Sequence, residues 1–153
     1  MELMMVKAFN HIGPEQLPLF VVSDFCKQVA EIELGKREPV IRVGNLQAYR
    51  DFTDVRDVVR AYALLVQFGR AGEIYNVGSG DAIEIAEVLK LILENAHQKI
   101  DVVIDKERLR PVDVPIIVAD ITKINEATGW KPEISLNQSL ADTLAYWRQR
   151  LEQ

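Results

Sequence analysis

The chain has 153 residues, of which 48% are hydrophobic and 27% are charged, and its formal net charge at pH 7 is -5. This length and composition predict one globular domain spanning 1–153 with a sizeable core, and they exclude a disordered chain. The acidic balance argues against nucleic acid or an anionic membrane as the main partner, while a local basic patch can still bind a small anion.

Strands and helices alternate along the first half of the chain. Residues 3–9 predict a short buried strand, HIGPEQLP predicts a turn, and 39–43 predicts a small strand. Between the turn and the small strand, apolar residues at helical spacing predict a helix that ends near Gly35: Val21, Phe25, Val29 and Ile32. The next stretch predicts a helix that Thr53 or Asp54 caps and Gly69 ends, so that Arg50 stands just before it.

The second half continues this alternation without an internal repeat or a second domain boundary. The predicted elements are strands at 73–78, 99–104 and 116–120 and a helix around 85–96. A turn at SGD and a proline-bounded loop at LRPVDVP separate them.

Two further helices are predicted near the end of the chain. Asp120 caps a short helix that Gly129 ends. Ser135 and Gln138 have capping-box spacing before an amphipathic helix over 137–152. The predicted fold class is therefore α/β, with small strands and packed helices.

Metal, disulfide and nucleophile chemistry find little support in the sequence. His11 and His97 lie far apart, and with Cys26 as the one cysteine they form no metal constellation and allow no intrachain disulfide. VGSGD lacks the G-x-S-x-G pattern, and the glycine spacing gives no dinucleotide fingerprint. Cys26, Trp130 and Trp147 are interpreted as packing residues. With neither a signal peptide nor a membrane span predicted, we expect a cytoplasmic protein.

Two arginines make anion binding the most concrete chemical hypothesis. Arg50 precedes the predicted helix start, where the field favours anions, and Arg110 lies in the proline-bounded loop. Two guanidinium groups can hold the two phosphates of a diphosphate, each well-placed contact contributing roughly 1.5–3 kcal/mol. The alternative is that Arg50 pairs with Asp54, and Arg110 with Asp113, as solvated surface ion pairs.

Six short motifs in order resemble one enzyme family. They are FNHIGP at 9–14, FVVSDF at 20–25, RDFTDVRDVVRAY at 50–62, EIYNVGSG at 73–80, LRPVDVP at 109–115 and ATGWKP at 127–132. The set resembles the extended short-chain dehydrogenase/reductases of the NAD-dependent epimerase/dehydratase superfamily, which act on nucleotide sugars. It is most similar to the GDP-mannose 4,6-dehydratase and GDP-4-keto-6-deoxymannose reductase group, which implies GDP-deoxysugar biosynthesis. Ser23, Asp24 and Gln16 depart from the dehydratases and favour the reductase-like branch.

The resemblance starts at the strand that follows the family's catalytic helix, which implies a substrate-binding C-terminal half without the N-terminal Rossmann half. The family's Tyr-x-x-x-Lys pair is absent too, because the residues four places after Tyr49, Tyr62, Tyr75 and Tyr146 are Thr53, Val66, Ser79 and Arg150. The complete enzyme is expected to use NADP or NAD. For this chain alone we expect no catalytic residue, no bound cofactor and no turnover.

The resemblance also implies roles for five residues. Asn10 matches an asparagine that contacts the sugar-phosphate, and His11 matches a position on the nicotinamide side of the cofactor cleft. Arg50 and Arg110 match two arginines that bracket the diphosphate. Asp113 matches an acidic position that contacts the nucleotide ribose or orients the arginine. The alternatives are a structural role for His11 and a loop ion pair for Asp113.

Three hypotheses about the whole chain follow. The first is the substrate-binding half of a GDP-sugar dehydratase or reductase, whose ligand is a nucleotide sugar and whose partner is the missing half or a second copy. The second is a stand-alone nucleotide-sugar-binding module. The third is a truncated remnant that binds no nucleotide and associates through exposed apolar surface.

Overall fold

A computed structural model of the chain describes residues 3–109 and 114–153. Its strands are β1 (Met5–Ala8), β2 (Asn10–Ile12), β3 (Val40–Val43), β4 (Tyr49–Asp54), β5 (Ile74–Val77), β6 (Ala82–Glu84), β7 (Asp101–Ile104) and β8 (Ile116–Ile117). Its helices are α1 (Val21–Glu33), α2 (Val55–Phe68), α3 (Ile85–Glu94), α4 (Thr122–Thr128) and α5 (Leu136–Glu152), with a 3-10 turn at Lys106–Arg108. The predicted α/β class of small strands and packed helices is confirmed.

The strands form three small groups. β4 lies at the centre of one group, parallel to β2 and β8 and antiparallel to β6. β1 pairs with β5 and β3 pairs with β7, both in parallel. β2 and β6 correct the sequence prediction, which placed their residues in or beside turns. Pairing with β4, some forty residues away from β2 and thirty from β6, overrides the local turn signals.

Local capping signals set the helix boundaries. The Asp54 carboxylate accepts a hydrogen bond from the Arg56 amide at 2.8 Å, and Gly69 follows the last residue of α2. Ser135 Oγ accepts from the Gln138 amide at 3.2 Å. The Gln138 side chain donates to Asp142 instead of returning to Ser135, so only half of the predicted capping box forms.

The larger of two hydrophobic clusters, called the large core, lies among α1, α3, α5 and β3. Its buried side chains include Val29, Ile41, Leu89 and Leu144. Trp147 belongs to it, and its indole donates to Ser23 Oγ at 2.9 Å. Cys26 is fully buried there, and burial raises the pKa of its thiol. The packing roles predicted for Cys26 and Trp147 are confirmed.

The second cluster, called the small core, lies between the β1–β5 pair and helices α2 and α4. Its buried members are Val58, Ala61, Leu65, Tyr75, Val77, Ile124 and Trp130. The Trp130 indole donates to the Asp57 carbonyl at 3.0 Å, which confirms its packing role. The buried Asp57 carboxylate accepts from the amides of Glu133 and Ile134 at 3.0 and 2.9 Å, and so fastens the segment before α5 to α2.

One side of the small core is open to solvent. Within the described residues β1 pairs with β5 alone, so its other edge has no strand partner there. Val59, Tyr62 and Val66 form an exposed stripe on α2 at helical spacing.

Candidate functional site

An open cleft of ≈ 1680 Å³ runs between β2, the residues before α1, and β4. Asn10, His11 and Arg50, three of the residues that the sequence singled out, all line it. β2 and β4 lie side by side in parallel, with Asn10 in register with Phe52. This pairing brings together two motifs that lie forty residues apart in the chain.

Arg50 lies within β4, which corrects the prediction that it stands just before a helix. The helix begins at Val55, and Asp54 already caps its first amides. The Arg50 guanidinium instead donates through Nη1 to the main-chain carbonyls of Tyr49 at 2.7 Å and Pro115 at 3.4 Å. These carbonyls orient the side chain without neutralising its charge, so the cation is presented to the cleft.

Asn10 and His11 are exposed at the cleft on β2. His11 Nδ1 lies 3.1 Å from the Phe9 carbonyl, and since a carbonyl only accepts, Nδ1 carries the proton. The Gln16 amide donates to the His11 carbonyl at 2.7 Å and fixes the backbone there. Nε2 of a neutral His11 is then an acceptor, and the Asn10 amide offers both a donor and an acceptor.

Asp51 is a residue that sequence reasoning missed. Its carboxylate is fully buried and accepts from the Ser79 amide at 2.6 Å, from Ser79 Oγ at 2.7 Å, and from the amides of Gly80 and Ala119 at 3.0 Å. It therefore ties β4 to the turn after β5 and to the residues after β8. Three of the six residues of β4 (YRDFTD) are charged, so the sequence did not mark Asp51 as the one bound by distant main-chain donors, which lie 28 to 68 residues away.

The turn that Asp51 holds has room for no side chain at Gly78. A Cβ there would lie 2.4 Å from the Ala119 Cβ and 2.7 Å from Asp51 Oδ2. Gly80 has φ +83°, a conformation that L side chains rarely adopt. The VGSG motif therefore serves a tight turn against a buried carboxylate, and this turn leads from β5 into β6.

The other two predicted site residues, Arg110 and Asp113, lie outside the described residues, and their roles stay predictions. The structure adds a cation that the sequence analysis did not single out. Arg108 lines the cleft and donates through Nη1 to Asp24 Oδ2 at 2.7 Å.

Among the described residues, no helix has the length and apolar composition of a membrane span. Residues 3–109 and 114–153 also contain no cluster of three or more His, Cys, Asp or Glu that could hold a metal.

The described residues do not fit a complete dinucleotide site. A dinucleotide pyrophosphate binds at a helix N-terminus that follows a strand through a glycine-rich turn. Here the two helices that directly follow strands, α2 and α3, have Asp54 and Glu84 at their N-caps. These carboxylates repel phosphate, so neither helix start fits a dinucleotide pyrophosphate.

Comparison with known proteins gives concordant results. The family model described as GDP-mannose 4,6 dehydratase matches residues 1–143. A GDP-6-deoxy-D-mannose reductase from Pseudomonas aeruginosa is 35% identical over 98% of this chain and 49% of its own length. A GDP-mannose 4,6-dehydratase from Sinorhizobium fredii is 27% identical over 92% of this chain and 46% of its own length.

A solved structure agrees with the relatives. The structure of RMD from Pseudomonas aeruginosa complexed with NADPH superimposes with a TM-score of 0.91 at 36% identity, covering 96% of this chain and 48% of that one. The chain thus spans about half the length of the relatives it matches. The matched half is the C-terminal part of an extended short-chain dehydrogenase/reductase fold.

Proposed function

Because this chain belongs to the GDP-mannose 4,6 dehydratase family, we propose that it is the substrate-binding half of a GDP-sugar reductase or dehydratase. In this proposal the cleft binds the nucleotide sugar, with Arg50 on the diphosphate and Asn10 on the sugar-phosphate. Arg110 adds the second guanidinium, Asp113 contacts the ribose or orients that arginine, and His11 faces the nicotinamide of the complete enzyme.

One observation carries the proposal: the Arg50 guanidinium is held in the cleft by two carbonyls. Within the described residues its hydrogen bonds go to neutral acceptors, so its positive charge stays available to a ligand. A guanidinium fixed in this way can donate to phosphate oxygens with little loss of side-chain entropy. Diphosphate binding therefore suits the site better than binding of a neutral sugar.

Reductase chemistry is favoured over dehydratase chemistry. The Pseudomonas reductase is 35% identical over nearly the whole chain, whereas the Sinorhizobium dehydratase is 27% identical. This difference in sequence identity points the same way as Ser23, Asp24 and Gln16, which favour the reductase-like branch. We assign GDP-deoxysugar biosynthesis in the cytoplasm as the setting.

The chemical step needs groups that this chain does not supply. NADP, or NAD, supplies the hydride when it is bound to the complete enzyme. Acidic residues cap α2 and α3, and the sequence has no Tyr-x-x-x-Lys pair. In this proposal the role of the chain is therefore to position the substrate. We therefore expect no turnover of a GDP-4-keto-6-deoxy sugar with NADPH by the chain alone, and measurable turnover would contradict this.

The partner in the proposal is the other half of the family's enzyme. Within the described residues one edge of β1 has no strand partner, and α2 carries an exposed apolar stripe of Val59, Tyr62 and Val66. Parallel sheets are normally covered on both faces and extended by further strands. A second α/β unit can supply a strand for this edge and apolar cover for the stripe, which supports it as the partner in preference to a nucleic acid or membrane.

Calorimetric titration of the chain with GDP, with UDP as the comparison, tests the binding proposal. We expect GDP to bind in the micromolar to low-millimolar range. Arg50→Ala and Arg110→Ala should each weaken binding at least tenfold, because a charge-assisted contact contributes roughly 1.5–3 kcal/mol. Arg70→Ala is the matched control, since Arg70 is exposed and lies outside the cleft lining.

Each alternative function predicts a different titration. Equal affinity for GDP and UDP would contradict the guanine preference and indicate a general nucleotide-sugar module. Absence of heat with either nucleotide, together with concentration-dependent light scattering, would indicate a non-binding remnant. Unchanged binding by Arg50→Ala would remove Arg50 from the site whatever the nucleotide.

A further inference from the structure

An ion pair joins two walls of the cleft that the chain does not connect locally. Arg108, in the segment Asp105–Leu109, donates to Asp24 in the first turn of α1 at 2.7 Å. The two residues are 84 positions apart, and both line the cleft. The contact therefore sets how this segment lies relative to α1.

Asp24 is braced for that contact by a buried amide. Gln28, only 1% exposed, donates to Asp24 Oδ2 at 2.8 Å. The same amide donates to the Arg42 carbonyl and accepts from the Arg42 amide, both at 3.1 Å. Because Gln28 is fixed to the backbone of β3, the Asp24 carboxylate is held in place before Arg108 reaches it.

The backbone of the segment is seated separately. The Asp105 amide donates to the Val43 carbonyl at 2.8 Å. Gly44 packs so closely that a Cβ there would lie 2.4 Å from the Arg108 carbonyl oxygen. With the backbone anchored at β3, the Arg108 side chain is the part that reaches to α1.

We propose that the Asp24–Arg108 pair is a positioning device that fixes the segment Asp105–Leu109 against α1 and so sets the width of the cleft for a nucleoside diphosphate sugar. The inference rests on the proposed function. The side chains of Arg108 and Asp24 are 40% and 23% exposed, respectively, and ion pairs so accessible contribute little to folding stability. Loss of the pair should therefore weaken ligand binding without lowering the thermal midpoint.

Variants of both partners test the proposal, with GDP affinity, thermal midpoint and amide hydrogen exchange of Asp105–Leu109 as measurements. Asp24→Asn, Arg108→Gln and the double variant should each bind GDP about fivefold more weakly, because each removes the same contact. Arg108→Lys should stay within about twofold of the parent protein. Arg37→Gln is the matched control: Arg37 pairs with Glu31 at 3.1 Å with similar exposure, away from the cleft.

The Asp24→Asn variant separates positioning from direct contact. If Arg108 itself bound phosphate, removing the Asp24 charge would free the cation and tighten GDP binding, which would overturn the proposal. Unchanged affinity, or a midpoint that falls in proportion to affinity, would overturn it as well. If the parent protein binds no GDP, the proposed function fails. Hydrogen exchange then tests by itself whether the Asp24–Arg108 pair positions the segment Asp105–Leu109. If amide exchange in Asp105–Leu109 is no faster in Asp24→Asn than in Arg37→Gln, the positioning role is overturned. Faster exchange confined to this segment in Asp24→Asn would support it.

Discussion

The large core and the small core differ in how completely this chain covers them. Helices α1, α3 and α5 enclose the large core, where Val29 and Ile41 are fully buried. The small core has Trp130 and Tyr75 at its centre but leaves Val59 and Val66 on α2 in solvent. The contrast indicates that the large core supports the fold; in the proposed function, the small core receives a further layer from the partner half.

Asp51 joins the two regions. It lies on β4, which borders the large core, and its carboxylate holds the turn that follows β5 of the small core. The cleft opens where these regions meet, with Arg50 next to Asp51 in the same strand. The position of Arg50 therefore depends on the contact between the two regions as well as on the carbonyls beside it.

The largest effect is expected in the large core. Leu144→Ala removes a side chain that is 1% exposed between α5 and α1, and we expect a loss of about 3–4 kcal/mol in the free energy of unfolding from lost burial and the remaining cavity. Urea unfolding followed by circular dichroism measures it. A loss below about 1 kcal/mol would mean that the large core is not more tightly packed than the small core, and would contradict the contrast between them.

The second-largest effect on stability is expected at Asp51, which connects the two regions. Asp51→Asn places an amide donor against the backbone donors of Gly80 and Ala119, so at least one stays unpaired. We expect a loss of about 2–3 kcal/mol in urea unfolding, together with weaker GDP binding because β4 and the turn separate. A variant as stable as the parent would show that the regions are held together elsewhere.

A pH-dependent effect, smaller than that of Asp51→Asn, is expected at Asp54. Burial alone would raise the pKa of this carboxyl, but hydrogen bonds from Arg56 and Ser139 outweigh it and hold the pKa below its ordinary value. A depressed pKa stabilises the fold above the unfolded value of about 3.9, and this is lost as pH falls through the folded pKa. Unfolding free energies between pH 7 and pH 2 should therefore converge for the parent and Asp54→Asn. A constant difference across that range would contradict this origin.

The smallest effect on stability is expected at the uncovered stripe. Val66 is 79% exposed, so Val66→Ser should change the free energy of unfolding by less than about 0.5 kcal/mol. The same change should reduce concentration-dependent light scattering, because it removes exposed apolar surface from α2. A large destabilisation would mean that this stripe is already covered within the chain.

Local signals predicted many features correctly. The helical spacing of apolar residues gave α1, α2, α3 and α5, and Asp54 and Ser135 capped the helices expected of them. The ordered motifs gave the family, and three of the singled-out residues, Asn10, His11 and Arg50, line one cleft. These features depend on residues a few positions apart or on short contiguous motifs, which the sequence displays directly.

Tertiary structure decided the features that depend on distant partners. β2 and β6 became strands by pairing with β4, Asp51 found its donors 28 to 68 residues away, and Arg108 reached Asp24 across 84 residues. Composition and motifs determined what kind of chain this is and which residues carry charge. Which of those charges are buried, paired or presented to the cleft was decided by packing, because hydrogen-bond geometry and desolvation depend on neighbours that the linear order does not reveal.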